Sequence, residues 1–188
     1  MDRFKSLPVN QLHQLLEGGP TLLVATRGFE GITNIMSMSF HMMIERKRGL
    51  IGVVIGTDGY SYEALHDTGQ CVLAVPTYDM ASTVIDIGNC SGRRIDKFER
   101  FGLTPILAES VRAPLIAECM VNIECEIFDR RMSGHYDGFI ILRALHVWVD
   151  ADREERRTLH HNGDGSFYAD GEYVDLRDRI QLWNKYRK

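Results

Sequence analysis

The 188-residue sequence lacks an excess of either charge: 22 Lys and Arg stand against 26 Asp and Glu, a net charge of −4. That balance excludes a strongly basic nucleic-acid surface and an acidic disordered tail. No apolar stretch is long enough to span a bilayer, so no membrane insertion is expected. The opening residues MDRFKSLPVNQLHQLLEGG lack the unbroken apolar run of a signal peptide, and a cytoplasmic protein is expected. None of the four cysteines, Cys71, Cys90, Cys119 and Cys125, falls in a C-x-x-C pair. Three sit in or beside apolar runs, where a reduced thiol packs as a small hydrophobe, so they read as structural thiols. There is no G-x-G-x-x-G after a strand and no G-x-x-x-x-G-K-[ST], which excludes Rossmann and P-loop nucleotide sites. The stretch NGDGSFYADGEY has Phe167 where a calcium loop needs glycine and Tyr173 where it needs glutamate. His160 and His161 are adjacent, so on a strand their rings point to opposite faces and make a poor joint metal site; no metal is expected. Internal repeats and low-complexity linkers are absent as well.

What is present is an ordinary globular composition, 44% hydrophobic and 26% charged, in a chain long enough for one domain with a sizeable core. Apolar runs of strand length arrive in series: TLLVAT at 21–26, ITNIMSMSF at 32–40, LIGVVIG at 50–56 and QCVLAVP at 70–76. Two longer strands, at 114–129 and 138–150, are joined by a polar turn and read as a hairpin. Short helices are predicted at 60–69 and 78–89. The termini carry a helix within 1–19, with Val9, Leu12, Leu15 and Leu16 on one face, and a basic helix at 176–188, both expected as appendages to the single domain. Six or more strands with a few helical inserts predict a mainly β protein, a closed or nearly closed antiparallel barrel with short peripheral helices, since closure removes exposed edges.

One strand is unusual. Read with a period of two, NIMSMSFHMM at 34–43 places Asn34, Met36, Met38, Phe40 and Met42 on one face. The other face begins Ile35, Ser37, Ser39 and His41, a strip of short hydroxyls and an imidazole suited to a flat, partly polar object. Further on, NCSGRRIDKFERFG combines Ser91 and Gly92, whose backbone can turn amides toward an anion, with Arg93, Arg94 and Lys97. Asp96 is placed to cap a short helix. This is a candidate phosphate grip with Phe98 beside it; the competing reading is a solvated basic loop pinned by core phenylalanines. In GTDGYSYEAL, Thr57, Ser61 and the helix-start amides offer a second anion site, or simply a helix cap.

Together these segments resemble the flavin reductase, or flavoredoxin-like, family, which uses an FMN-binding split barrel. TNIMSMSFHMM, GYSYEAL, GNCSGRRIDKFERFGLTP, APLIAECMVNIECEI and RTLHHNGDGSF occur in the family's order and cover roughly residues 8–175. The resemblance implies a Greek-key split barrel in which Asn34, Met36, Ser37, Met38, Ser39 and Phe40 lie along the flavin. It places the FMN phosphate among Thr57, Ser61, Ser91 and Lys97, with Phe98 packed beside it. It implies an oxidoreductase in which NAD(P)H passes a hydride to the flavin for a downstream acceptor or partner oxygenase, with no catalytic side chain of its own. The alternative is a non-enzymatic electron carrier or redox sensor. A homodimer that closes the flavin site is also implied, with Met42, Met43, Leu145, Val147 and Trp148 as contact candidates. The chain departs from the family pattern at Phe40, where tryptophan is common, at ERKRG before the third strand, and at Arg143 and Ala144, where Glu-Val is common.

Overall fold

The computed structural model describes residues 3–16, 18–176 and 179. In chain order it runs β1 (Phe4–Ser6), a helical turn at Val9–Gln11, α1 (His13–Leu16), β2 (Leu22–Arg27), β3 (Thr33–Met38), β4 (His41–Glu45) and β5 (Leu50–Val54). Then come α2 (Tyr60–Thr68), β6 (Gln70–Val75), α3 (Ala81–Gly88), α4 (Lys97–Arg100) and a small hairpin of β7 (Pro105–Ile106) and β8 (Leu115–Ile116). The long pair β9 (Val121–Asp129) and β10 (Phe139–Asp150) follows, and a second hairpin, β11 (Leu159–His161) with β12 (Phe167–Ala169), ends the regular structure. Among the described residues no helix is long and apolar enough to cross a membrane.

The main sheet is antiparallel in the order β3-β2-β6-β9-β10-β5-β4, with β1 pairing the far end of β10. Its two outermost strands, β3 and β4, are consecutive in the chain and joined by Ser39 and Phe40 alone. Neighbouring Cα atoms are about 3.8 Å apart, so this short link draws the two sheet edges together and curls the sheet into a barrel left open between them. The expected mainly β split barrel with short peripheral helices is therefore present.

Two details correct the sequence reading. The strip at 34–43 is two strands rather than one: among the described residues β3 pairs only β2 and β4 pairs only β5, so the chain changes edge at Ser39–Phe40. The N-terminal segment is not an appendage, because Leu12 and Leu16 are buried in the barrel interior beside Leu22, Val53, Leu73 and Leu142. Each such leucine contributes about 2 kcal/mol by leaving water. The helix predicted at 176–188 lies almost wholly outside the described residues.

A second core covers the outer face of β2, β3 and β6. There Leu23, Ala25, Ile35, Val72 and Ala74 meet Val84 and Ile87 of α3 and Phe98 of α4. Strands buried on both faces read as continuous apolar runs, which explains LLVA and CVLAV. Cys71, Cys119 and Cys125 are fully buried free thiols, and Cys90 is half-buried.

Candidate functional site

A cavity of about 760 Å³ opens at the split in the barrel, within the range of small-molecule sites. One wall is the end of β3, with Met36, Ser37 and Met38, continued by Ser39 and Phe40 of the link. Val84, Ile85, Gly88 and Asn89 of α3 and its C-terminal end form the next wall. Thr21, Val54 and Gly56 line the floor, and the β11–β12 hairpin adds His161, Asn162, Gly163 and Phe167. Among the described residues β3 pairs a strand on one side only, so the part of its other edge beyond the Ile35 carbonyl, which Lys97 takes, is open to a ligand.

The polar side chains that the period-two reading had aimed at a ligand are partly used to hold the strip in place, Ser37 against α3 and Ser39 and His41 against the segment before β2. Ser37 Oγ donates to the Val84 carbonyl at 2.5 Å. Ser39 Oγ lies 3.3 Å from Thr21 Oγ1. His41 turns away from the cavity: its Nε2 donates to the Pro20 carbonyl at 2.6 Å, its Nδ1 is buried without a partner among the described residues, and burial holds its pKa below the ordinary value.

The predicted phosphate residues divide. Asn34 and Ser61 are buried against each other, Asn34 Nδ2 donating to Ser61 Oγ at 2.7 Å in the first turn of α2. Gly92 packs onto this pair so closely that a Cβ there would stand 2.0 Å from Asn34 Oδ1. Thr57 and Ser91 are exposed and follow the cavity-lining Gly56 and Asn89 in sequence, but neither lines the cavity, and Ser91 Oγ accepts from Arg93 N at 3.3 Å.

Lys97 does not line the cavity, where the resemblance placed it at the FMN phosphate, nor does it open toward solvent. Its side chain is buried, and Nζ donates to the carbonyls of Ile35 on β3 at 2.8 Å and Ile87 in the last turn of α3 at 2.9 Å. Asp96 caps α4 by accepting from Glu99 N at 3.1 Å, which turns the following residues inward. The ammonium thus donates to an edge-strand carbonyl and to a helix-end carbonyl that, among the described residues, otherwise receives only the weak Cys90 thiol donor, at 3.7 Å. Burial pushes its pKa down, and the Cys90 thiol nearby opposes the shift. Phe98 is likewise a core residue of the outer cluster, not a cavity aromatic. Arg93 is paired with Glu63 and lies over the Tyr60 ring, 5.2 Å from its centroid. His135 is exposed in the turn before β10 and does not line the cavity.

Sequence reasoning found the β3 strip but not the opposing walls. Val84, Ile85 and Gly88 were read only as part of the helix at 78–89, and the hairpin residues as a failed calcium loop and one motif of the resemblance; nothing local marks them as cavity residues.

With this geometry in view, the chain matches the model of the flavin reductase like domain over residues 16–175. An uncharacterized protein of Archaeoglobus fulgidus is 30% identical over 115 residues, 60% of this chain and 65% of that protein's length. The uncharacterized protein YddH of Escherichia coli K12 is 26% identical over 186 residues, covering 93% of this chain and 98% of its own. The crystal structure of an FMN-binding domain of a flavin reductases-like enzyme from Shewanella baltica OS155 superposes with a TM-score of 0.84 at 22% identity, covering 92% of this chain and 96% of that one. This last likeness speaks to the fold, and the family match to descent. The chain belongs to the flavin reductase like domain family.

Proposed function

We propose that the chain binds FMN in the cavity at the barrel split and uses it to move electrons from NAD(P)H to a downstream acceptor, a partner oxygenase being one such acceptor. The observation that carries this reading is the free edge of β3, bearing Met36, Ser37 and Met38, as one wall of a cavity large enough for a flavin. Unpaired backbone groups and short hydroxyls suit the polar rim of an isoalloxazine, while Met36, Met38 and Phe40 suit its apolar body. In this reading the exposed Thr57 and Ser91 serve the phosphate end, while the buried Asn34–Ser61 pair steadies the start of α2 behind it. Bound FMN supplies the hydride chemistry, and the residues of the cavity hold and shield it. Lys97 serves by fixing the distance between β3 and α3.

A homodimer belongs to the same proposal. Phe40, Met42 and Ile44 are 74%, 59% and 42% exposed beside the cavity. Met42 and Ile44 crowd Gly52 together with Phe139, which places them on one outward face. A contiguous exposed apolar face of this kind favours a second copy. Of the contact candidates named from sequence, Met42 alone lies here: Val147 and Met43 pack into the barrel interior, and Leu145 and Trp148 pack against the outer core.

The test is an FMN and riboflavin titration followed by an assay of NADH and NADPH consumption. Tight FMN binding with a clear loss for riboflavin is expected, together with turnover of one nicotinamide. Equal affinities would remove the phosphate assignment, and FMN binding without turnover would identify an electron carrier.

A further inference from the structure

Among the described residues, the walls of the cavity carry a single ionisable side chain, His161. It sits on the β11–β12 hairpin, a different wall from the β3 strip, and the hairpin is firmly seated. Thr21 N donates to the Leu159 carbonyl at 2.6 Å, Leu159 is buried in the outer core, and Thr77 bridges to Thr158. The neighbouring His160 faces the other way, with Nε2 2.9 Å from Asp170 Oδ1 and 3.1 Å from Thr158 Oγ1.

The tautomer of His161 is set by the turn that follows it. Gly165, at φ +90°, directs its N–H to His161 Nε2 at 3.1 Å. A ring nitrogen that accepts a hydrogen bond carries no proton in the neutral imidazole, so the proton resides on Nδ1. No partner for Nδ1 is present among the described residues. The ring also rests against Phe167, with centroids 5.0 Å apart. The result is one pre-oriented N–H donor beside an aromatic face, on a cavity wall otherwise formed by neutral side chains.

We propose that His161 recognises the second molecule of the site: a planar ring bearing a carbonyl oxygen, which accepts from Nδ1–H while the ring lies by Phe167. The proposal rests on FMN occupying the β3 side. The same chemistry is offered by the carboxamide of a nicotinamide and by the carbonyl of an aromatic acceptor.

The experiment uses FMN-loaded wild type, His161→Phe, which keeps the contact with Phe167, and His161→Gln, which retains an amide donor. Each is titrated with p-hydroxybenzaldehyde, with p-cresol, which has a methyl in place of the carbonyl, and with NAD⁺. His161→Phe is expected to bind the aldehyde about threefold to tenfold more weakly, the size of one lost hydrogen bond, with p-cresol unchanged and His161→Gln partly restored. On wild type with ¹⁵N-labelled histidine, saturating aldehyde or NAD⁺ is expected to shift the His161 Nδ1 resonance, and whichever ligand does so identifies the source of the carbonyl. Unchanged aldehyde and NAD⁺ affinity in His161→Phe, or a wild-type Nδ1 resonance that moves with neither ligand, overturns the proposal. Failure of the wild type to bind FMN instead overturns the reading beneath it.

Discussion

Replacing Lys97 by methionine keeps the length of the buried stem and removes the ammonium. Two carbonyls, Ile35 on β3 and Ile87 on α3, then lose donors at 2.8 and 2.9 Å. Hydrogen bonds from a charged group contribute about 1.5–3 kcal/mol each, so about 3–6 kcal/mol is at stake. The variant is also spared the cost of burying a cation, which offsets part of this and leaves a net loss of about 2 kcal/mol. With a urea m-value of about 2 kcal/mol/M, the unfolding midpoint should fall by about 1 M, and FMN affinity should fall with it as β3 and α3 drift apart. The pH dependence has a defined sign. Burial lowers the folded pKa below the usual 10.5, so the unfolded chain holds the proton more tightly. The margin of wild type over Lys97→Met should therefore widen as the pH rises through the alkaline window just below 10.5. Circular dichroism in urea at several pH values, with flavin fluorescence at each, measures both effects. An unchanged midpoint with strongly weakened FMN binding would refute the reasoning and return Lys97 to the phosphate.

Ser39→Leu should abolish flavin fluorescence quenching while leaving the far-ultraviolet circular dichroism intact, because Ser39 lines the cavity in the link between strands rather than sitting in the core; loss of the fold would show a packing role. Gly92→Ala forces a Cβ to within 2.0 Å of Asn34 Oδ1, so a stability loss of about 1–3 kcal/mol and weaker FMN binding are expected, and a wild-type melting curve would contradict the close packing. Met42→Glu places a charge on the exposed face of β4 and should convert a dimer to a monomer in sedimentation; a dimer that persists unchanged would put the interface elsewhere. FMN should also tighten the dimer by linkage, and a wild-type monomer that holds FMN at full occupancy would sink the shared-site idea.

Much of the architecture was legible because it is written in local periodicity. The runs at 21–26, 50–56 and 70–76 became β2, β5 and β6 with ends shifted by only one or two residues. The hairpin of β9 and β10 formed as read, although the apolar run at 114–129 breaks into β8 and β9. The strip at Met36–Phe40 reached the cavity because short hydroxyls beside methionines in a strand are poor filling for a core.

The rest was decided by what lies across the chain from each residue. Period two cannot reveal that a strand changes sheet edge at Ser39–Phe40, since both halves keep the same alternation. Nor can composition tell whether the Lys97 stem runs out to solvent or under an edge strand; that depends on where α4 is docked, and the two carbonyls it meets are 62 and 10 residues away in sequence. His161 joins the cavity only because the outer core seats a late hairpin beside Thr21. The sequence by itself determined most strand runs and their alternation, because neighbouring residues settle those, and the family, through the order of its motifs along the chain. The tertiary structure alone decided which polar groups face the cavity and which are consumed in holding it open, because a hydrogen bond is allotted to whichever partner the fold brings within 3 Å.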